Sequence, residues 1–293
     1  MDVQSLLQRY ERGQRDFSGV DLSGADLRGT TLIGVNFRNA KLRGANLSRA
    51  FLTKANFSAA CLNWANLHCA KLSDSKLADA DLTKANLEGA FMINAKLPRA
   101  KLTGANLAHT NLRRANLWGA NLSGATLYRT NLRQGNLSGC NLNWANLNAV
   151  RLSEANLSGV SANGATLVSA FLRNVDLSGV DLEGVDLSDA RCQDSILIGA
   201  NFSAAKCCNT HFQGANLSRA NFSNANLIKA SFDRADLTNA ILKQARLTGT
   251  SWDQAILQGV DWDGAEINDS DSDRPPAEHH RFDLFSPELT WAV

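Results

Sequence analysis

Ala155-Asn156-Leu157-Ser158-Gly159 is one of 51 successive five-residue units that run from Phe17 to Ile267 without a change of register. The positions numbered in 2 and 7 hold the large apolar residue of each unit, 37 of them Leu, and Ala162 is the one exception. Two residues before each large residue stands a small one: from Val20 to Ala265 these are Ala, Val, Thr, Ser, Gly or Cys, and 33 of the 50 are Ala. A period of five fits neither a helix at 3.6 nor a strand at 2. One small and one large side chain per unit must therefore share an interior, and the other three positions, polar or Gly, face water.

The consensus A-(N/D)-L-S-G, seen again in Ala45-Asn46-Leu47-Ser48-Arg49, resembles that of the pentapeptide-repeat family, and the resemblance covers the whole run from Phe17 to Ile267. The opening Leu6-Leu7-Gln8-Arg9-Tyr10 through Asp16-Phe17-Ser18-Gly19-Val20-Asp21-Leu22 is similar to that of cyanobacterial members. The resemblance implies an all-β chain, a right-handed quadrilateral parallel β-helix in which four units close one 20-residue coil. About 12–13 such coils, roughly 4.8 Å apart, would make a rod on the order of 60 Å long. Residue number modulo 20 then sorts the interior into columns. One opens with Phe17, Phe37 and Phe57, and another ends with Phe212, Phe232 and Trp252, so rings are expected on rings. Ala162 would leave a Leu-sized void. Cys140, Val160 and Val180, enlarged small positions in the column beside it, are expected to compensate its volume.

Three regions follow. Residues 1–14 read as a short helix ending at Gly13, with Val3, Leu6, Leu7 and Tyr10 on one face, placed to cap an open apolar end. They do not read as a signal peptide, because the apolar run is too short. Residues 15–267 are the repeat array, in which Pro98 is the only proline, as suits a backbone that needs its N–H groups for coil-to-coil pairing. Residues 268–293 begin as a polar linker and end with Phe282, Leu284, Phe285, Leu289, Trp291 and Val293. This tail is expected to cap the Trp252/Trp262 end or to dock on a second copy or partner, which leaves a monomer or a homodimer joined through an end. No stretch approaches the length of apolar sequence that a transmembrane helix needs.

Charge is divided unevenly. Residues 27–151 hold 17 Lys and Arg against 4 Asp and Glu, a net +13, whereas residues 152–267 hold 8 against 13, a net −5. On one expected face lie Arg113, Arg114, Arg133, Arg151, Arg173 and Arg191, together with outward Phe51, Phe91 and Phe171. Arg and aromatic residues are the types that protein interfaces favour, so this is the candidate docking face for a protein partner. Charge needed only for solubility is the plainer explanation. Nucleic acid is a poor fit, since the face has no reading helix and the acidic half would repel DNA.

The sequence contains no pattern that commits to chemistry. Its six Cys lack CxxC spacing, and Cys140, Cys192 and Cys207 fall at interior positions. His68, Cys69 and His109 share a face but lie two coils apart, too far to share a metal. No phosphate loop, nucleophile elbow or Ser/His/Asp set is present. The expected function is a non-catalytic cytoplasmic scaffold or regulator without cofactor. A DNA-mimicking topoisomerase or gyrase binder, which the resemblance also admits, should be acidic along its whole length. An enzyme is the third alternative.

Overall fold

The computed structural model describes residues 1–267. Within them the one helix is α1, Val3–Glu11. Asp2 caps it by accepting a hydrogen bond from the Ser5 N–H at 2.8 Å, which satisfies one of the free donors of the first turn. Leu6 is fully buried, and Val3, Leu7 and Tyr10 pack on the same core. The helix stops just short of Gly13, whose φ is +96°.

From Asp16 onward the chain pairs with itself through single-residue parallel bridges, each joining residue i to residue i+20: Asp16 to Asn36, Asp21 to Lys41, and so on to Arg246 with Glu266. Each coil crosses four bridge columns, which begin at Asp16, Asp21, Asp26 and Thr31. Between bridges the chain turns. Except at Val175 and Ser195, the N–H of the small residue donates to the carbonyl of the large residue three before it, as Ala45 to Leu42 at 3.0 Å. The residue preceding the small one takes a left-handed φ near 60° even where it is Arg129 or Trp144. Asn or Asp at the bridge position stabilises the turn, because its side-chain oxygen accepts the N–H two residues on, as Asn136 does from Ser138 at 3.1 Å. That local bond is the reason for the consensus Asn/Asp.

Large and small residues alternate into a continuous core. The expected ring columns form, Phe212 on Phe232 at 5.2 Å and Phe232 on Trp252 at 4.6 Å. A second column interleaves with them: Phe202 stacks on Phe222 at 4.7 Å, and both meet Phe212 edge-on. Hydroxyls at four small positions, Thr110, Thr130, Ser195 and Thr210, donate to the previous coil, as Thr110 to the Leu87 carbonyl at 2.8 Å.

The coil-to-coil ladder is interrupted at one junction. Elsewhere the N–H of each large residue donates to the bridge residue just before its counterpart in the next coil, as Leu142 to the Ser161 carbonyl at 2.7 Å. Leu157 to Asp176, Ala162 to Asp181, Gly159 to Ser178 and Gly164 to Glu183 fall outside hydrogen-bond geometry. The return contacts from Asp176, Asp181 and Asp186 to Ala155, Val160 and Ala165 do so too, although Asn156 still bridges Asp176 and Thr166 still bridges Asp186. Ser161 and Asp181 make no bridge. Ala162 remains enclosed, 3% exposed, so the interior closes around the missing Leu while the backbone pairing beside it loosens.

Candidate docking surface

All six arginines singled out above are exposed, and they come from two kinds of position. Arg151 and Arg191 stand on the bridge column that begins at Thr31, paired through Phe171: Arg151 bridges Phe171, and Phe171 bridges Arg191. Arg113, Arg114, Arg133 and Arg173 project from the adjoining turns. Their backbones are held by the same ladder, as Arg114 N–H to the Arg133 carbonyl at 3.0 Å. The register therefore fixes where each guanidinium emerges, although none belongs to the core.

Two shallow depressions open on this side and share Arg133. The first, about 300 Å³, is lined by Arg113, Arg114, Asn131, Arg133, Gln134 and Glu154. In it Arg114 donates to Gln134 at 3.0 Å and Gln134 donates to Glu154 at 2.7 Å, so an amide links the cation to the carboxylate. The second, about 410 Å³, is lined by Arg133, Arg151, Ser153, Phe171, Arg173, Arg191 and Gln193. Its floor is the half-buried ring of Phe171, with the Arg151 and Arg191 guanidiniums 5.9 and 4.9 Å from the ring centroid. Arg173 is held aside by Asp194 at 3.0 Å. Arg133, Arg151 and Arg191 make no ion pair among the described residues. A patch with three uncompensated cations around an aromatic floor attracts an anion that also has apolar surface.

Phe51, Phe91 and Phe171 share one column; Arg113 emerges in the coil next to Phe91, whose Asn94 N–H donates to the Arg113 carbonyl at 3.0 Å, while Asn111 and Asn131 lie between Phe91 and Arg151. Phe51 and Phe91 flank Lys71, whose ammonium sits 3.4 Å from the Phe91 ring centroid. Sorting by twenties already sets Lys71 between Phe51 and Phe91, but only the structure turns its ammonium onto the Phe91 ring. Elsewhere on the surface, the Lys84 ammonium lies over Trp64 at 4.6 Å, and Trp144 lies across the backbone of Gly164. His68 contacts Cys69 at 3.4 Å, while His109 meets Tyr128 edge-on.

The family model of pentapeptide repeats matches this chain in 8 copies between residues 16 and 244. No curated protein matches. Among solved structures, HetL, a pentapeptide repeat protein involved in heterocyst differentiation regulation from the cyanobacterium Nostoc sp. strain PCC 7120, is 32% identical over 92% of this chain and 98% of its own, with a TM-score of 0.31. The pentapeptide repeat protein alr5209 from Nostoc PCC 7120 is 28% identical over 43% of this chain and 80% of its own, at a TM-score of 0.23. QnrB1, a plasmid-mediated fluoroquinolone resistance protein, is 17% identical over 86% of this chain and 91% of its own, at 0.25. With the repeat model spanning most of the chain and HetL aligned along nearly all of it, this chain belongs to the pentapeptide-repeat family.

Proposed function

We propose that the protein is a non-catalytic scaffold or regulator that binds another protein through the Arg–Phe side of a right-handed, four-sided β-helix of about 12–13 coils. The observation that carries this reading is the depression floored by Phe171 and walled by Arg133, Arg151 and Arg191. Cations without carboxylate partners and a half-exposed ring gain little from folding and more from docking. The 32% identity to HetL, a protein involved in regulating differentiation, agrees with a regulatory role. The basic half of the chain, net +13 over residues 27–151, disfavours a DNA mimic that would bind a topoisomerase. The partner sought is a protein with an acidic, partly apolar surface. Helix α1 caps one end in this reading; the tail's proposed role as cap or docking segment concerns residues outside those described.

Changing Arg113, Arg133 and Arg151 together to Ser tests the reading. The thermal melt should stay close to wild type, because surface arginines contribute little to stability. Recovery of the native partner by affinity purification from the host should fall, and wild-type recovery should weaken as salt rises. Undiminished recovery by the triple variant removes this side as the docking surface.

A further inference from the structure

The interrupted junction lies opposite the Arg–Phe side. Ser161 and Asp181, whose bridge is lost, stand on the column that begins at Asp21, and the neighbouring columns keep their bridges, Asn156 with Asp176 and Thr166 with Asp186, on weakened bonds. Two columns further round, on the column that begins at Thr31, every ladder bond is kept: Leu152 to the Phe171 carbonyl, Phe171 to Val150, Leu172 to Arg191 and Arg191 to Ala170, each 2.8 Å. A junction unpaired at Ser161 and Asp181, weakened on the two flanking columns and fully bonded on the opposite side has the form of a hinge, and Phe171 sits on its bonded edge.

The cause is legible in the small residues. Small positions stack on one another from coil to coil, and Val160 over Val180 is the one place in the array where Val meets Val. Val175 and Val185 face Ala155 and Ala165 on the two flanking columns. Each Val adds two methyl groups where Ala-on-Ala contact sets the spacing, and a close-packed interior resists added volume. The excess falls on the column that loses its bridge and on the two that are weakened beside it. Ala162 removes a large residue from the same coil, so the interior there has fewer contacts to hold the coils together.

We infer that this junction is a hinge that curves the Arg–Phe side, and that an acidic segment of a partner protein binds the curved form in the Phe171 depression. The inference rests on the docking reading above for its occupant, and on the ladder alone for the hinge. Parting of the coils along Ser161 and Asp181 tilts the coil carrying Arg151 toward the one carrying Arg191, which draws the two guanidiniums around Phe171. The charge favours an acidic occupant, because Arg133, Arg151 and Arg191 have no ion pair among the described residues. A ligand that prefers the curved form shifts the equilibrium toward it.

Hydrogen exchange on the full-length protein tests the hinge without any substitution. Amides of 157–164 should exchange about tenfold or more faster than those of 137–144 one coil earlier, as local opening predicts. Equal protection overturns the hinge. The coupling is tested with a fluorescein-labelled peptide of ten glutamates, using V160A/V180A/A162L, which restores the small-large pattern of the other coils. This variant should protect 157–164 and lower peptide affinity by about threefold or more through loss of the curved form. Protection with unchanged affinity overturns the coupling. If the substitutions disturb folding, R151S/R191S in the wild-type frame still serves: peptide binding at low salt should raise exchange in 157–164 in the wild type and not in this variant. Failure of the peptide to bind the wild type removes the docking reading and with it the coupling, whereas the exchange comparison decides the hinge by itself.

Discussion

The Arg191 guanidinium lies 4.9 Å from the ring centroid of Phe171, its bridge partner in the preceding coil. The contact joins the surface to the ladder, since the same backbone pairing that stacks one coil on the next brings the cation over the ring. Arg151 approaches from the coil before that. Phe171 is thus the shared point of the depression and of the bonded edge of the junction, and a change in coil spacing there is felt at once by two guanidiniums.

Polar residues in the interior separate into satisfied and unsatisfied. Thr110 and Thr130 donate to the Leu87 and Leu107 carbonyls at 2.8 and 2.7 Å, whereas the buried Ser75 hydroxyl has no partner. T110V should cost about 1 kcal/mol, and S75A should be neutral or stabilise by up to about 1 kcal/mol. Chemical denaturation of the two variants beside wild type checks the difference in sign.

Gly164 has φ +66°, and Trp144 occupies the space that a Cβ would take. Other turns accept non-Gly residues at this φ, so most of the cost of G164A should come from the indole. G164A should destabilise by about 1–2 kcal/mol. The cost should shrink in a W144A background, giving a coupling of about 0.5 kcal/mol or more in a double-mutant cycle.

The cysteines should fall into two classes. Cys61 is exposed, whereas Cys140, Cys192 and Cys207 are buried. Burial pushes the Cys140 and Cys192 thiols up to about 12 and Cys207 well above its ordinary value. The thiolate is the reactive form. A thiol reagent at neutral pH should label Cys61 early and reach these three only on unfolding, which mass spectrometry of time points will show.

The amino-terminal coils should loosen in acid. The Asp16 and Asp21 carboxyls are held below their usual 3.8 chiefly by the N–H groups of Ser18 and Ser23, and Asp26 chiefly by the Arg28 side chain. The Ser5 N–H does the same for Asp2 at the cap of α1. A depressed carboxyl contributes stability that is fully present above the unfolded value and is lost as pH falls through the folded one. The amide signals of Ser5, Ser18 and Ser23 should therefore hold to about pH 4 and move below it. All four carboxyls are exposed, so added salt should blunt the effects of charge more than those of the N–H bonds.

The sequence by itself determined the register, the inward residues and the charge division. These depend on a five-residue pattern repeated without slippage, so each unit declares its own inside and outside. Leu127 and Ala125 could be assigned to the core from their neighbours alone. It also indicated which arginines to watch, once residues were sorted by twenties. The tertiary structure decided what those residues meet. The Lys71 ammonium over the Phe91 ring, the interleaving of Phe202 with Phe212, and Arg151 and Arg191 about Phe171 all depend on which side chain turns onto which. The open junction is decided at the same level, because Val160 and Val180 are each acceptable within a unit. Their bulk conflicts only when two coils stack, and the hydrogen bonds that give way are those that join one coil to the next.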